Sequence, residues 1–420
     1  VRLRNYAVVT GGYWAFTVTD GALRMLVLLH FHELGYSPVA IAFLFLLYEV
    51  MGVATNLVGG WAGARSGLNR VLVVGLGLQV VVLALLAALR PASAQWWSVA
   101  IVMGLQALSG VAKDLTKMAS KSAVKLVAGE GALFRLVAVL TGSKNALKGV
   151  GFFVGAALLA RLGWSGALGA LAGLVAVALV GVLALLDEDL GRSSSKPTLR
   201  SILSPSVAVN RLSAARVFLF GARDIWFVVA LPVFLDEVLG WSFDAIGAFL
   251  AAWVIGYGMV QSVAPRLMPA AIGAGAAPAP VAGAVGRSAE VGAARRWALA
   301  LVMVSATIAV AVAIGDEALT VVAVVGGLIV FGLVFAVNSS LHSYLILAYS
   351  SRDVSMDVGF YYSANAVGRL IGTVLSGVLY LAGGLPLALW GSAAFVGVTW
   401  LLSLRLPPVD ATDRGALAGA

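Results

Sequence analysis

The 420-residue chain contains no cysteine, which excludes disulfides, thiolate metal centres and cysteine nucleophiles. Histidine is nearly absent too. His30, His32 and His342 are the only three, so neither a metal site nor a cofactor is expected. Charge is equally scarce: 11% of residues are Asp, Glu, Lys or Arg, while 61% are hydrophobic. Soluble domains carry about 25% and 45–50% respectively. So little charge cannot cover a surface facing water, and the surrounding solvent must be lipid. The few charges are also unbalanced, with 28 Lys and Arg against 19 Asp and Glu, a formal net charge of +9.

A spanning helix takes roughly 20 apolar residues. Runs of that length lie at about 6–30, 39–62, 71–89, 97–117, 132–160, 166–186, 212–235, 244–264, 297–314, 319–343, 358–382 and 386–404. The first run carries Asp20 and Arg24 and has no cleavage pattern, so it reads as helix one rather than as a signal peptide. With twelve spans and both termini in the cytoplasm, the inside segments hold nineteen cations and the outside loops hold only Arg90 and Arg161. The positive-inside rule therefore sets the orientation in the cytoplasmic membrane. Residues 269–296 are apolar but rich in Pro and Gly, and read as a flexible inside loop.

Residues 187–211 form a charged, Ser- and Pro-bearing linker near the midpoint. They divide the chain into six-helix halves at 1–186 and 212–404, with a tail at 405–420. Repeats support this: LGYSPVAI at 34–41 answers LGWSFDAI at 239–246, and SKNAL at 143–147 answers SANAV at 363–367. The expected fold is all-α, twelve transmembrane helices in two six-helix halves, the parallel-repeat architecture of major facilitator transporters. The loop Gly60-Trp-Ala-Gly-Ala-Arg65-Ser-Gly67-Leu-Asn-Arg70 resembles that superfamily's loop pattern, except that Ala64 stands where Asp is usual.

Seven cations remain within the spans. Arg24, Lys113, Lys144, Lys148, Arg223 and Arg369 lie deep and Arg216 near the inner boundary, against the acids Asp20, Glu49, Asp114 and Asp224. A cation at a helix centre costs about 2.5–3.5 kcal/mol on insertion scales, so such residues face a partner or an aqueous path. Their spacing makes stripes: Tyr13, Thr17, Asp20 and Arg24; Gln106, Ser109, Lys113 and Lys117; Thr141, Asn145 and Lys148; Arg216, Phe220 and Arg223; Tyr362, Asn365 and Arg369. If each acid neutralises one cation, positive charge is left over for an anion.

Blander roles compete for several of these residues. Asp20 and Arg24, spaced i, i+4, suit an internal salt bridge. Arg223 and Asp224 are adjacent and need separate partners. Lys121 and Lys125 continue the Lys113 row past the expected end of the span and read as an inside anchor or anionic-lipid contact. His30 and His32 read as a solvated outer turn, and His342 as a weak relay candidate. Lys144 and Lys148 repel each other on a helix without acids, so an anion or acids from helices one and two must compensate them. Arg forks and Lys point charges together suit a multiply charged, oxygen-rich substrate. The binding set is then Arg24, Lys113, Lys144, Lys148, Arg223 and Arg369 with Asn145, Asn365 and Tyr362. Asp20, Glu49, Asp114 and Asp224 are candidate charge partners or proton carriers. No catalytic residue is expected.

The blocks TDGALRMLVLLHFHELGYSP, LLYEVMGVATNLVGGW, ALSGVAKDLTKMASKSAVKLV, LTGSKNALKGVGFF, LFGARDIWFVVALPVFL and YYSANAVGRLIGTVLSG together resemble the ArsJ family of organoarsenical efflux permeases. The resemblance implies export of 1-arseno-3-phosphoglycerate, formed by a partner glyceraldehyde-3-phosphate dehydrogenase, by a monomeric permease. A phosphate or organophosphate exchanger of the same fold is the alternative. Trivalent arsenic is thiophilic, so the lack of cysteine suits a pentavalent ester.

Overall fold

The computed structural model describes residues 2–35, 46–89, 96–127, 132–186, 206–267, 289–350 and 354–409. These are helical with short connections, and no strand occurs among them. The helices are α1 (Arg2–Glu33), α2 (Leu46–Ser66), α3 (Leu68–Ala88) and α4 (Trp96–Val127). The helical stretch Leu133–Leu185 is broken at Gly163 into α5 and α6. Then come α7 (Val207–Phe227, continued by Ala230–Glu237), α8 (Phe243–Val263), α9 (Ala289–Ile314) and α10 (Glu317–Tyr349). The stretch Val354–Ser403 is broken at Gly383 and Gly384 into α11 and α12. Each of the twelve expected spans coincides with a helix in its described part.

Local chemistry sets the ends. Gly163 and Gly384 both take φ 65°, a conformation that side chains disfavour, so these glycines sit where one span must turn into the next. Pro386 falls in the first turn of α12, where a missing N–H removes no helical bond. Ser206, Ser242 and Asp316 cap α7, α8 and α10, accepting from Val209 N, Ala245 N and Leu319 N at 3.4, 3.3 and 2.8 Å.

Three boundaries depart from the sequence reading. α9 begins at Ala289, so the last part of the 269–296 stretch is helical, with Val291, Ala293 and Ala294 buried; residues 268–288 lie outside the described residues. α7 starts at Val207, inside the stretch read as linker, because Ser206 caps it and Val209 and Leu212 are buried. α4 runs to Val127 instead of ending near 117, since Met118, Ala119, Ala123 and Val124 continue its buried face.

The chain divides into two compact units. The first comprises residues 1–128, 143–203 and 352–363, the second residues 129–142, 204–351 and 364–420. Thus α5 and α11 each contribute their opening residues to one unit and the remainder to the other. In the first unit α4 packs against α1, α2 and α3 around Leu23, Leu26, Leu72, Leu76 and Leu83, and Trp164 Nε1 ties α6 to Leu86 O at 2.9 Å. The core of the second unit is aromatic: Trp226, Trp253, Phe331 and Phe335, with Trp253 Nε1 donating to Leu328 O at 2.8 Å.

Apolar side chains also cover the outside. Val177, Val180, Val322, Met303 and Leu381 are exposed, whereas Asp20, Asp114, Asp224 and Lys121 are buried. Eight helical stretches among the described residues are long and apolar enough to cross a membrane. Exposed apolar residues around buried charge are what a lipid solvent selects, and the chain is a multi-pass membrane protein.

Candidate anion-binding clusters

In the first unit the site begins with a close helix crossing. A Cβ at Gly151 of α5 would lie 3.1 Å from Gly21 Cα of α1, so neither position has room for a side chain. This crossing brings the neighbouring Asp20 and Lys148 together, with Lys148 Nζ 3.2 Å from Asp20 Oδ2. The hydroxyl of Tyr48 on α2 donates to the other oxygen, Asp20 Oδ1. The Tyr48 ring carries two cations, Lys113 Nζ at 3.8 Å and the Arg24 guanidinium at 4.2 Å from its centroid. Of the two compensations open from the sequence, an anion or an acid, Lys148 has an acid of helix one, and Asp20 has partners on α2 and α5. Lys144 donates to Asn145 Oδ1 at 3.0 Å.

Next to Lys113 on α4, Asp114 accepts from Lys117 at 2.5 Å and lies 3.9 Å from Lys113. Lys117 and Lys121 both lie over the Tyr362 ring, at 4.9 and 4.8 Å, and Lys121 Nζ donates to Tyr362 OH at 2.7 Å. Tyr362 is positioned because the start of α11 docks on α2: Ser355 Oγ donates to Gly60 O at 2.8 Å and Ser363 Oγ to Val53 O at 2.9 Å. Lys121 and Lys125 are each 6% exposed. This overturns their reading as a lipid anchor; the row belongs to the packed interior.

The second unit builds a comparable cluster from arginines. Gly372 of α11 crosses Gly221 of α7, a Cβ on Gly372 lying 3.0 Å from both Gly221 Cα and Asp224 Cβ. Asp224, fully buried, accepts from Arg369 Nε at 3.1 Å and from Arg223 Nε at 2.7 Å. The adjacent Arg223 and Asp224 therefore pair with each other, contrary to the expectation of separate partners, because the Arg223 side chain is long enough to fold back along its own helix. Arg216, 2% exposed, donates to Asn365 Oδ1 at 2.9 Å and to Ser339 Oγ and O at 3.2 and 3.3 Å. Tyr257 and Gln261 of α8 close the network on Ser339 Oγ at 3.3 and 3.2 Å. Arg216 and Arg223 both lie over Phe220, at 3.8 and 5.1 Å.

The nine expected binding residues fall into two groups: Arg24, Lys113, Lys144, Asn145, Lys148 and Tyr362 in the first unit, Arg223, Asn365 and Arg369 in the second. Asp20, Asp114 and Asp224 act as charge partners within them; the side chain of Glu49 lies outside the described residues. Tyr48, Ser339, Lys117, Lys121 and Arg216 lie outside the expected binding set yet join the same networks. The i+4 lysine row was the available signal for two of these, whereas nothing local marks Tyr48. His30 lies in α1 with its ring 4.5 Å from that of Trp164, so it packs instead of forming a solvated turn. His342 is fully buried, and its two nitrogens have no hydrogen-bond partner among the described residues. No group of three His, Cys, Asp or Glu is placed to hold a metal ion among the described residues.

A family model described as Major Facilitator Superfamily matches residues 9–286. The chain belongs to the major facilitator superfamily. Solved structures agree on the fold. The human organic anion transporter MFSD10 (TETRAN) has a TM-score of 0.74 at 17% identity, covering 96% of this chain and 99% of its own. The proton:xylose symporter XylE gives 0.73 at 12%, covering 99% and 98%. A bacterial homologue of the iron transporter ferroportin gives 0.71 at 14%, covering 95% and 99%. No curated protein sequence matches the chain. Superfamily membership makes the protein a transporter.

Proposed function

We propose that this transporter exports the organoarsenical 1-arseno-3-phosphoglycerate and confers arsenate resistance together with a glyceraldehyde-3-phosphate dehydrogenase. The carrying observation is that each unit gathers partly buried cations around a buried carboxylate: Lys148, Arg24 and Lys113 about Asp20 and Tyr48, Arg223 and Arg369 about Asp224. A sugar or a lipophilic drug needs no such cations, whereas a substrate that carries phosphate and arsenate groups does. The sequence blocks that resemble the organoarsenical permeases contain these same residues.

Export proceeds by alternating access of the halves 1–186 and 212–404, with both termini in the cytoplasm and the protein working as a monomer in the cytoplasmic membrane. An inside-negative potential favours anion efflux by about 2.3 kcal/mol per charge per 100 mV, enough to drive uniport. Glu49, Asp20 and Asp224 are the carboxylates available for proton antiport, and unchanged pH-driven exchange in Glu49→Gln removes Glu49 from that role.

The deciding experiment expresses the chain in an arsenate-sensitive bacterium with and without the dehydrogenase. Resistance that requires both supports the proposal, and resistance from the permease alone refutes it in favour of direct oxyanion export. The lysines of the first cluster recognise phosphate equally well, which favours an organophosphate or phosphate exchanger as second reading; counterflow with inorganic phosphate in the absence of arsenate identifies it.

A further inference from the structure

Where α12 ends, five consecutive backbone carbonyls are held by three side chains from three other helices of the second unit. Arg295 of α9 donates through Nε to Ser403 O at 2.9 Å, and through Nη2 to Leu404 O at 3.1 Å and Leu406 O at 3.2 Å. Arg211 of α7 donates to Arg405 O at 2.7 Å, and the Tyr349 hydroxyl of α10 to Pro407 O at 2.6 Å.

The last carbonyls of any helix lack helical partners, and a single arginine on them is an ordinary cap. Here the bound carbonyls continue to Pro407, past the helix end at Ser403. Leu406 and Val409 are buried, at 3% and 7% exposure, while Leu404, Arg405 and Pro408 are exposed. The segment is thus held by its backbone and two apolar anchors, as a groove holds a peptide. A planar guanidinium with five donors can serve several acceptors at once, and Arg295 takes three of the five carbonyls. The clamps stand near the starts of α7 and α9 and at the end of α10, so the chain direction puts them at the same end of the unit as the end of α12. Farther along, α12 meets α7 directly, with Thr399 Oγ1 donating to Ala215 O at 3.3 Å; the segment after it engages α7, α9 and α10 together.

We propose that residues 403–409 are a strap that fastens α7, α9, α10 and α12 into one block at that end of the second unit, with Arg295 as its main clamp. A transporter whose halves rock as bodies needs helix ends that do not shear past one another, and the strap supplies this for four helices of one half. The proposal rests on superfamily membership and not on the identity of the substrate.

The test uses the full chain in lipid nanodiscs with two readouts. One is amide exchange at residues 404–406 and 409. The other is the distance distribution between spin labels on Asn210→Cys and Ala289→Cys, exposed positions near the starts of α7 and α9 in a chain with no cysteine of its own. Arg295→Gln releases three carbonyls and should speed exchange about tenfold and widen the distribution. Tyr349→Phe, which removes one hydroxyl and keeps the ring, should do the same to a smaller extent. Arg405→Ala removes an exposed side chain, keeps the bound carbonyl and should change neither readout. Faster exchange in Arg295→Gln with an unchanged distribution makes Arg295 a helix cap and overturns the strap, as does indifference of both readouts. A distribution that widens equally in Arg405→Ala overturns the backbone grip. If Arg295→Gln fails to fold, Arg211→Gln and Tyr349→Phe decide by the same criteria.

Discussion

Asp224 on α7 is shared by two arginines, Arg223 beside it in sequence and Arg369 from α11, one on each carboxylate oxygen. In the first unit Asp20 on α1 holds Lys148 of α5 in the same manner. To within a residue, the two pairs are related by the displacements that relate the repeats at 34–41 and 239–246 and at 143–147 and 363–367. An acid on α1 thus pairs with a cation on α5, and an acid on α7 with a cation on α11.

Asp224→Asn should be strongly destabilising, because it leaves Arg223 and Arg369 facing each other without their shared carboxylate. Breaking a buried pair costs about 3–5 kcal/mol. The unfolding midpoint in detergent should drop, and added phosphate should recover part of the loss by standing in for the carboxylate. An unchanged midpoint would show that the bridge contributes nothing.

Arg369→Lys keeps the charge and gives up the planar fork, whereas Arg369→Ala and Lys148→Ala give up both. Everted vesicles should show a KM raised about tenfold for the lysine variant, equivalent to about 1.4 kcal/mol, and little transport for either alanine variant. Normal transport in both alanine variants would dismiss the clusters as the binding site.

Lys121→Gln should lower stability by about 1–3 kcal/mol, since the side chain is buried on Tyr362. Arg70→Gln, at an exposed position, should stay within about 0.5 kcal/mol. Equal effects in thermal unfolding would return Lys121 to the role of a surface anchor.

Arg216 and Asn365 should couple. The Arg216→Lys and Asn365→Ala single variants and their double variant form a cycle, and residues in one hydrogen-bond network interact by about 0.5–3 kcal/mol. Additive unfolding energies would mean that the contact at 2.9 Å has no energetic weight.

Gly151→Val should abolish folded protein, because its side chain would drive α1 and α5 apart and separate Asp20 from Lys148. Gly173→Val on α6, where no atom lies within 4 Å of a built Cβ, should express normally. Size-exclusion profiles after membrane extraction report both.

Much of the cluster chemistry was visible before the fold. The row Lys113, Lys117, Lys121 and Lys125 keeps i+4 spacing, and its membership in one helix face follows from helical geometry alone. Its environment did not follow: Lys125 reads as a surface lysine until the folded chain buries it to 6% exposure. Tyr48 shows the same limit more sharply. It stands between Leu47 and Glu49 with no local mark, and its importance comes from residues 24, 65 and 28 positions away that reach it from α1 and α4.

The sequence by itself determined the solvent, the helix count and the presence of unusual intramembrane cations. These depend on composition and on runs of about 20 residues, which the chain carries locally. Tertiary structure alone decided which acid meets which cation. Asp20 pairs with Lys148 and Asp224 with Arg369 because glycine crossings set those helices close together, and a crossing is a property of two helices that neither sequence states.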